Sequence, residues 1–140
     1  MKNKGLEGYQ AEVYFEYKAM QNGVVLSRPT QPTTPYDYIA NIDEKLVKCQ
    51  VKKARRDKRY NCWICELRRT RSKKIEMKAY PRLPYKEGDF DFLCVVIPDK
   101  DIYIIPWHEV STKCNNITLA GGKRDKYLKF RNNWRFDISP

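Results

Sequence analysis

The sequence predicts a mixed α/β (α+β) fold in which one helix precedes a sheet built largely from hairpins. Apolar residues recur at helical spacing over 6–22, and short strand-like segments separated by turn residues then occupy 24–106. The length, 140 residues, suits one domain with one core and is too short to expect two.

In the helix, Leu6, Tyr9, Val13, Tyr17 and Met20 are spaced by three and four and form the stripe expected to pack, with Gly23 as the C-terminal stop. Residues 24–28 read as a short strand. It gives way to RPTQPTTP, whose three prolines forbid regular pairing and favour an extended loop. Residues 36–42 form the next strand, 41–44 a turn, and 45–53 the antiparallel return. A further hairpin is expected from 61–69 and 73–79 across a turn at 70–72. The most apolar stretch, FDFLCVVIP at 90–98, and DIYIIP at 101–106 read as a buried hairpin at the centre of the sheet. A helical turn is expected near Trp107. Tyr127, Phe130 and Trp134, at i, i+3 and i+7, are expected to pack.

No run approaches the roughly 18 apolar residues of a membrane span. The first residues, MKNKGLEGYQAE, carry no apolar segment of the secretory kind, so a soluble cytoplasmic protein is expected. The five cysteines are an odd number without an export signal, which fits reduced thiols. Cys62 and Cys65 form a CxxC that could open a zinc site. A second ligand pair is missing and His108 is the one histidine, so buried thiols are the expectation.

Charge is more informative. The chain has 28 Lys and Arg against 17 Asp and Glu, a net of +11. Residues 52–86 alone hold 14 basic and three acidic residues, the same +11, and the remainder is neutral. Charge concentrated in this way points to a polyanion-binding surface. Interleaved Tyr60, Trp63, Ile64 and Leu67 argue against a merely solvated loop. Lys53, Arg55, Arg56, Lys58 and Arg59 open the basic segment, and Arg68, Arg69, Arg71, Lys73 and Lys74 follow. On DNA they would contact phosphates, and a ribbon over 61–79 would let Arg68, Arg69 and Arg71 reach guanine edges in the major groove.

Immediately before this segment lies PYDYIANIDEKLVKCQVKKA, residues 35–54. Strand alternation points Gln50 and Lys52 to one face and Val47, Cys49 and Val51 to the other. The hairpin brings Asp37, near the start of its first arm, to Gln50, near the end of its second. A carboxylate, an amide and an ammonium converging there fit metal-dependent phosphodiester cleavage. Asp37, the Gln50 side-chain oxygen and the Val51 carbonyl would be hard-oxygen metal ligands, and Lys52 would orient water and offset phosphate charge. Oxygen donors without a histidine cluster favour Mg²⁺ over zinc, with Mn²⁺ an acceptable substitute. Glu12 lies at the edge of the helix stripe. Asp89 and Asp91, alternating with Phe90 and Phe92, are expected to cover the solvent side of a strand and to stay out of the metal site.

A helix Glu, an Asp on one strand, then an acid or amide, any residue and Lys on the next resembles the PD-(D/E)XK nucleases, most of all the small bacterial intron-encoded homing endonucleases of that superfamily. The likeness extends over GLEGYQAEVYFEYKAMQNGVVLSRP, the 35–54 stretch, and YKEGDFDFLCVVIPDKDIYIIP. It matches Glu12 to the first-helix acid, Asp37 to the aspartate, Gln50 to the (D/E) position and Lys52 to the lysine. It implies a restriction-endonuclease-like core, with a mixed central sheet flanked by helices and a basic β-hairpin insert. It also implies Mg²⁺-dependent cleavage of double-stranded DNA by a homo-oligomer, with Glu12 as a further metal ligand and catalytic residue. Two departures stand out: Tyr36 separates Pro35 from Asp37, and Gln50 is neutral where most of these nucleases carry a carboxylate. Two rival readings stand beside this one: a nuclease selective for Holliday junctions or other branched structures, and an inactive DNA-binding module.

Overall fold

A computed structural model describes residues 4–69, 83–98, 100–110, 115–119 and 125–138, with backbone only at 4–7, 68–69 and 83. The helix α1 spans Lys4–Gln21. It ends in a Schellman turn: Gly23, at φ 73°, donates to the Met20 carbonyl, and Val24 donates to that of Ala19. Strands β1 (Val25–Ser27), β2 (Tyr38–Ile42) and β3 (Lys45–Lys53) follow as an antiparallel meander. Asp43 and Glu44 both have positive φ, as the tight two-residue turn between β2 and β3 requires.

The next three strands are β4 (Arg55–Asp57), β5 (Cys62–Glu66) and β6 (Arg68–Arg69). They are succeeded by β7 (Leu83–Pro84), β8 (Phe92–Val96), β9 (Ile102–Pro106) and β10 (Asn116–Leu119). The main sheet runs β1-β2-β3-β8-β9, with β3 and β8 parallel and every other pair antiparallel. A parallel pair needs a crossover of a dozen or more residues, and here the basic segment supplies it. Within that crossover β4 and β5 form a small sheet that β10, from beyond β9, completes in the order β10-β5-β4, and β6 pairs with β7.

The main sheet is covered on both faces. One core holds Ala11, Phe15, Tyr38, Cys49, Val51 and Cys94 beneath α1. The other packs Leu93, Val95, Tyr103 and Ile105 against Cys65 and Leu119 of the small sheet. Tyr127 and Phe130 join the second core, whereas Phe136 joins the first with Trp134 packed against it. The C-terminal segment therefore wraps the β9 edge.

Several expectations are corrected. The helix is present, but its buried stripe is Ala11, Phe15 and Ala19; Tyr9, Val13, Tyr17 and Met20 face outward, with Met20 73% exposed. One α-helix, not several, flanks the sheet among the described residues, and β strands cover its second face. Strand β5 pairs with β4 and β10, neither of which was expected, and the anticipated partner at 73–79 lies outside the described residues. Both strands of the expected 90–106 hairpin, β8 and β9, are buried throughout, but only β8 is interior and β9 ends the sheet. A 3₁₀ turn at Trp107–Glu109 matches the helical turn expected there. Among the described residues no helix is long and apolar enough to cross a membrane.

Candidate active site

Asp37 stands one residue before β2 and completes its ladder. Its N–H donates to the Cys49 carbonyl at 2.8 Å, and its Oδ2 accepts the Val51 N–H at 2.8 Å. The N–H and C=O of one strand residue point to the same strand edge. The Val51 carbonyl therefore faces the edge where β2 has already ended, and among the described residues no strand is there to use it. Gln50, 8% exposed, donates from Nε2 to the Pro35 carbonyl at 2.9 Å. That bond identifies the amide nitrogen and leaves Oε1 as the acceptor presented by the side chain. Thr34 Oγ1 donates to the Tyr36 carbonyl at 2.9 Å and holds the proline loop that carries Pro35.

Glu12 lies on the flank of α1, beside the buried Ala11. The helix is held there by Phe15, whose ring centre is 5.5 Å from that of Tyr38. It is also held by Glu16, which accepts hydrogen bonds from Tyr38 and Arg28. Glu12, Asp37, Gln50, Val51, Lys52 and Lys53 line one cleft of about 300 Å³, closed on other sides by Pro32, Pro35 and Tyr85. All the residues expected at the centre are thus brought together.

The electrostatics favour a cation. Burial, and then the neighbouring Asp37 carboxylate, push Glu12 up to about 7, against a smaller opposing pull from Arg28. Burial also raises Asp37, although the Val51 N–H and Lys52 act in the opposite direction. Two carboxylates that resist ionising together are relieved by positive charge between them. The donor set of two carboxylates, the Gln50 oxygen and a strand carbonyl fits a hard cation such as Mg²⁺. Among the described residues no cluster of three His, Cys, Asp or Glu occurs, as expected where a glutamine stands at the third position.

Two contributors escaped the sequence reading. The Lys52 ammonium lies over the Tyr85 ring at 5.4 Å, and Tyr85, 5% exposed, meets Phe90 edge-on at 5.0 Å. Pro35 acts through its carbonyl, which no side-chain pattern signals. Asp89 and Asp91 accept backbone N–H bonds from Lys86 and Lys48, at 2.9 and 2.8 Å, and do not line the cleft. Their neighbours Phe90 and Phe92 enter opposite cores.

Of the basic candidates, Lys53, Arg55, Arg56, Lys58 and Arg59 are all exposed, beside and beyond the cleft. Arg68 and Arg69 form β6, while Arg71, Lys73 and Lys74 lie outside the described residues. Cys62 and Cys65 are buried free thiols, and burial pushes Cys65 up to about 12.

This geometry can be set beside known proteins. The sequence profile of the PD-(D/E)XK endonucleases matches residues 2–137. The chain belongs to the PD-(D/E)XK endonuclease family. Members generally use divalent metals. Protein 5.3 of Escherichia phage T7 is 30% identical over 129 residues, covering 92% of this chain and 99% of that protein. The solved structure of a bacterial homing endonuclease, I-Ssp6803I, superposes with a TM-score of 0.80 at 22% identity, covering 95% of this chain and 91% of the other. That likeness establishes a shared fold. The chain is a nuclease of PD-(D/E)XK type in family and architecture.

Proposed function

We propose that residues 1–140 act as one nuclease domain, a sequence-specific double-stranded DNA endonuclease of the homing type that hydrolyses phosphodiester bonds with Mg²⁺. The observation that carries this reading is the convergence of Glu12, Asp37, Gln50, Val51 and Lys52 on one cleft whose carboxyl groups favour an added cation. The homing likeness rests on the fold shared with I-Ssp6803I.

In this reading Asp37, Glu12, the Gln50 oxygen and the Val51 carbonyl hold the ion. When bound there, Mg²⁺, or Mn²⁺ in its place, would lower the pKa of an attacking water and offset charge on a phosphoryl oxygen. Lys52 orients that water and offsets the charge that develops at phosphorus as the P–O bond to the leaving oxygen breaks. Pro35 and Tyr85 fix the Gln50 amide and the Lys52 ammonium before substrate arrives, so little reorganisation is needed at the moment of reaction. Lys53 and the basic residues from Arg55 onward bind backbone phosphates. Cutting both strands requires two such clefts, so the active species is a homo-oligomer, a dimer or tetramer. A pure monomer by analytical ultracentrifugation, with and without DNA, would refute that assembly.

Plasmid nicking and linearisation, followed in Mg²⁺ and in EDTA, test the reading. Mg²⁺-dependent cutting is expected, and Lys52→Ala and Asp37→Asn should abolish it while leaving binding nearly intact. Cutting of four-way junctions but of no linear duplex would favour the resolvase reading, and binding without any cutting the inactive module.

A further inference from the structure

A second cleft lies between the two sheets, away from Glu12 and Asp37. Its volume is about 330 Å³, and Arg56, Asn61, Trp63, Lys100, Asp101 and Arg131 contribute its polar and aromatic lining. We propose that this cleft binds a backbone phosphate of the DNA strand flanking the cleavage point, an assignment that rests on the nuclease reading above.

Three cations reach the cleft from three unconnected parts of the chain: Arg56 from β4, Lys100 from the turn before β9, and Arg131 from the C-terminal segment. One acid, Asp101, accompanies them. Arg56 is held in place, its guanidinium 5.5 Å from the Trp63 ring centre and hydrogen-bonded to Asn61. Arg131 Nε lies 3.8 Å from Asp101 Oδ2, and both side chains are more than 40% exposed. A pair that long and that wet neutralises little of the guanidinium's attraction for an anion. Asp101 Oδ1 also accepts from Asn132 at 3.0 Å, so the acid holds Arg131 in position and is itself tethered.

The ligand class follows from the donors. Two guanidinium forks and an ammonium suit a phosphate oxygen cluster, which Arg binds through paired hydrogen bonds. The position favours the substrate's own backbone over a free nucleotide. Ala54 donates to the Val96 carbonyl and prolongs the β3–β8 ladder directly toward β4. Arg56 is four residues beyond Lys52, at most about 13 Å of extended chain. At about 3.4 Å of rise per nucleotide that distance covers roughly four steps of a strand. A phosphate held there would anchor the strand a short way from the bond being cut and carry no sequence information.

The test is anisotropy of a fluorescently labelled duplex in EDTA, where no cutting occurs, over a series of salt concentrations. Arg131→Gln and Lys100→Gln should each weaken binding several-fold, equally for target and scrambled duplexes, and flatten the plot of log affinity against log salt by about 0.9. Asp101→Asn keeps the shape of the side chain and should act oppositely, tightening binding. That gain would not arise from a damaged fold. If the wild-type protein binds and cuts while all three variants match it in affinity and salt slope, the phosphate assignment falls and the nuclease reading stands. A wild-type protein that neither binds nor cuts duplex overturns both.

Discussion

Glu12 carries a large electrostatic consequence in the cleft. Folding raises its carboxyl from the ordinary 4.5 to about 7 through burial and the Asp37 charge. Between those values the folded protein keeps a proton that the unfolded chain has released. Metal-free stability therefore falls as pH rises from 4.5 to 7, and this contribution levels off above. Thermal melts in EDTA at pH 5 and pH 7.5 should differ in that direction, and Glu12→Gln should shrink the difference. A difference unchanged in the variant would mean that Glu12 is not the titrating group. Tyr85 offers a second test. Its ring lies 5.4 Å from the Lys52 ammonium, so Tyr85→Phe, which keeps the ring, should retain more of the cutting rate than Tyr85→Leu. Tyr85→Leu should lower the single-turnover rate about tenfold, the equivalent of roughly 1.4 kcal/mol, with duplex affinity unchanged. Equal losses in both variants would argue against the ring's role.

At the level of elements, the hairpin of β2 and β3 was the most legible part of the chain. Its alternation, its turn residues and the position of Asp37 relative to Gln50 are all local, and the structure pairs Tyr38 with Cys49 as that pattern implies. The face of α1 was misread for a physical reason. Two of the three buried stripe residues, Ala11 and Ala19, have little side chain to signal burial, yet small residues let a helix approach a sheet closely. The larger Tyr9, Val13, Tyr17 and Met20 dominate the apolar pattern from outside. Phe15, fully buried, bridges Tyr38 and Trp134 at ring distances of 5.5 Å each. Phe15→Ala should cost about 3–5 kcal/mol in denaturant unfolding. Tyr17→Ala, from the exposed stripe, should stay within about 0.5 kcal/mol. The opposite ranking would restore the stripe that the spacing suggested. Pairing of distant strands was not legible at all: nothing local in Cys49 or Phe92 says that they are parallel neighbours across the basic crossover.

For the whole molecule, that parallel pairing sets the division of labour. The middle of α1, the start of β2 and the end of β3 build the cleft, and the crossover that must then carry the chain from β3 to β8 is where the excess positive charge sits. Charge and chemistry are therefore adjacent in sequence yet borne by different elements, and substitutions should separate them. Lys58 and Arg59, exposed between β4 and β5, touch none of the cleft residues through the contacts described for them. Changing both to Gln should weaken duplex binding at every sequence and flatten the salt plot by up to about 1.8, two phosphate contacts' worth. The cutting rate at saturating DNA should be unaffected. Lys52→Ala should do the reverse, losing cutting while binding persists. Filter binding in EDTA and single-turnover cleavage in Mg²⁺ measure the two quantities independently. If neutralising Lys58 and Arg59 slowed cutting at saturation, the basic crossover would have to act on the cleft itself rather than only deliver DNA to it.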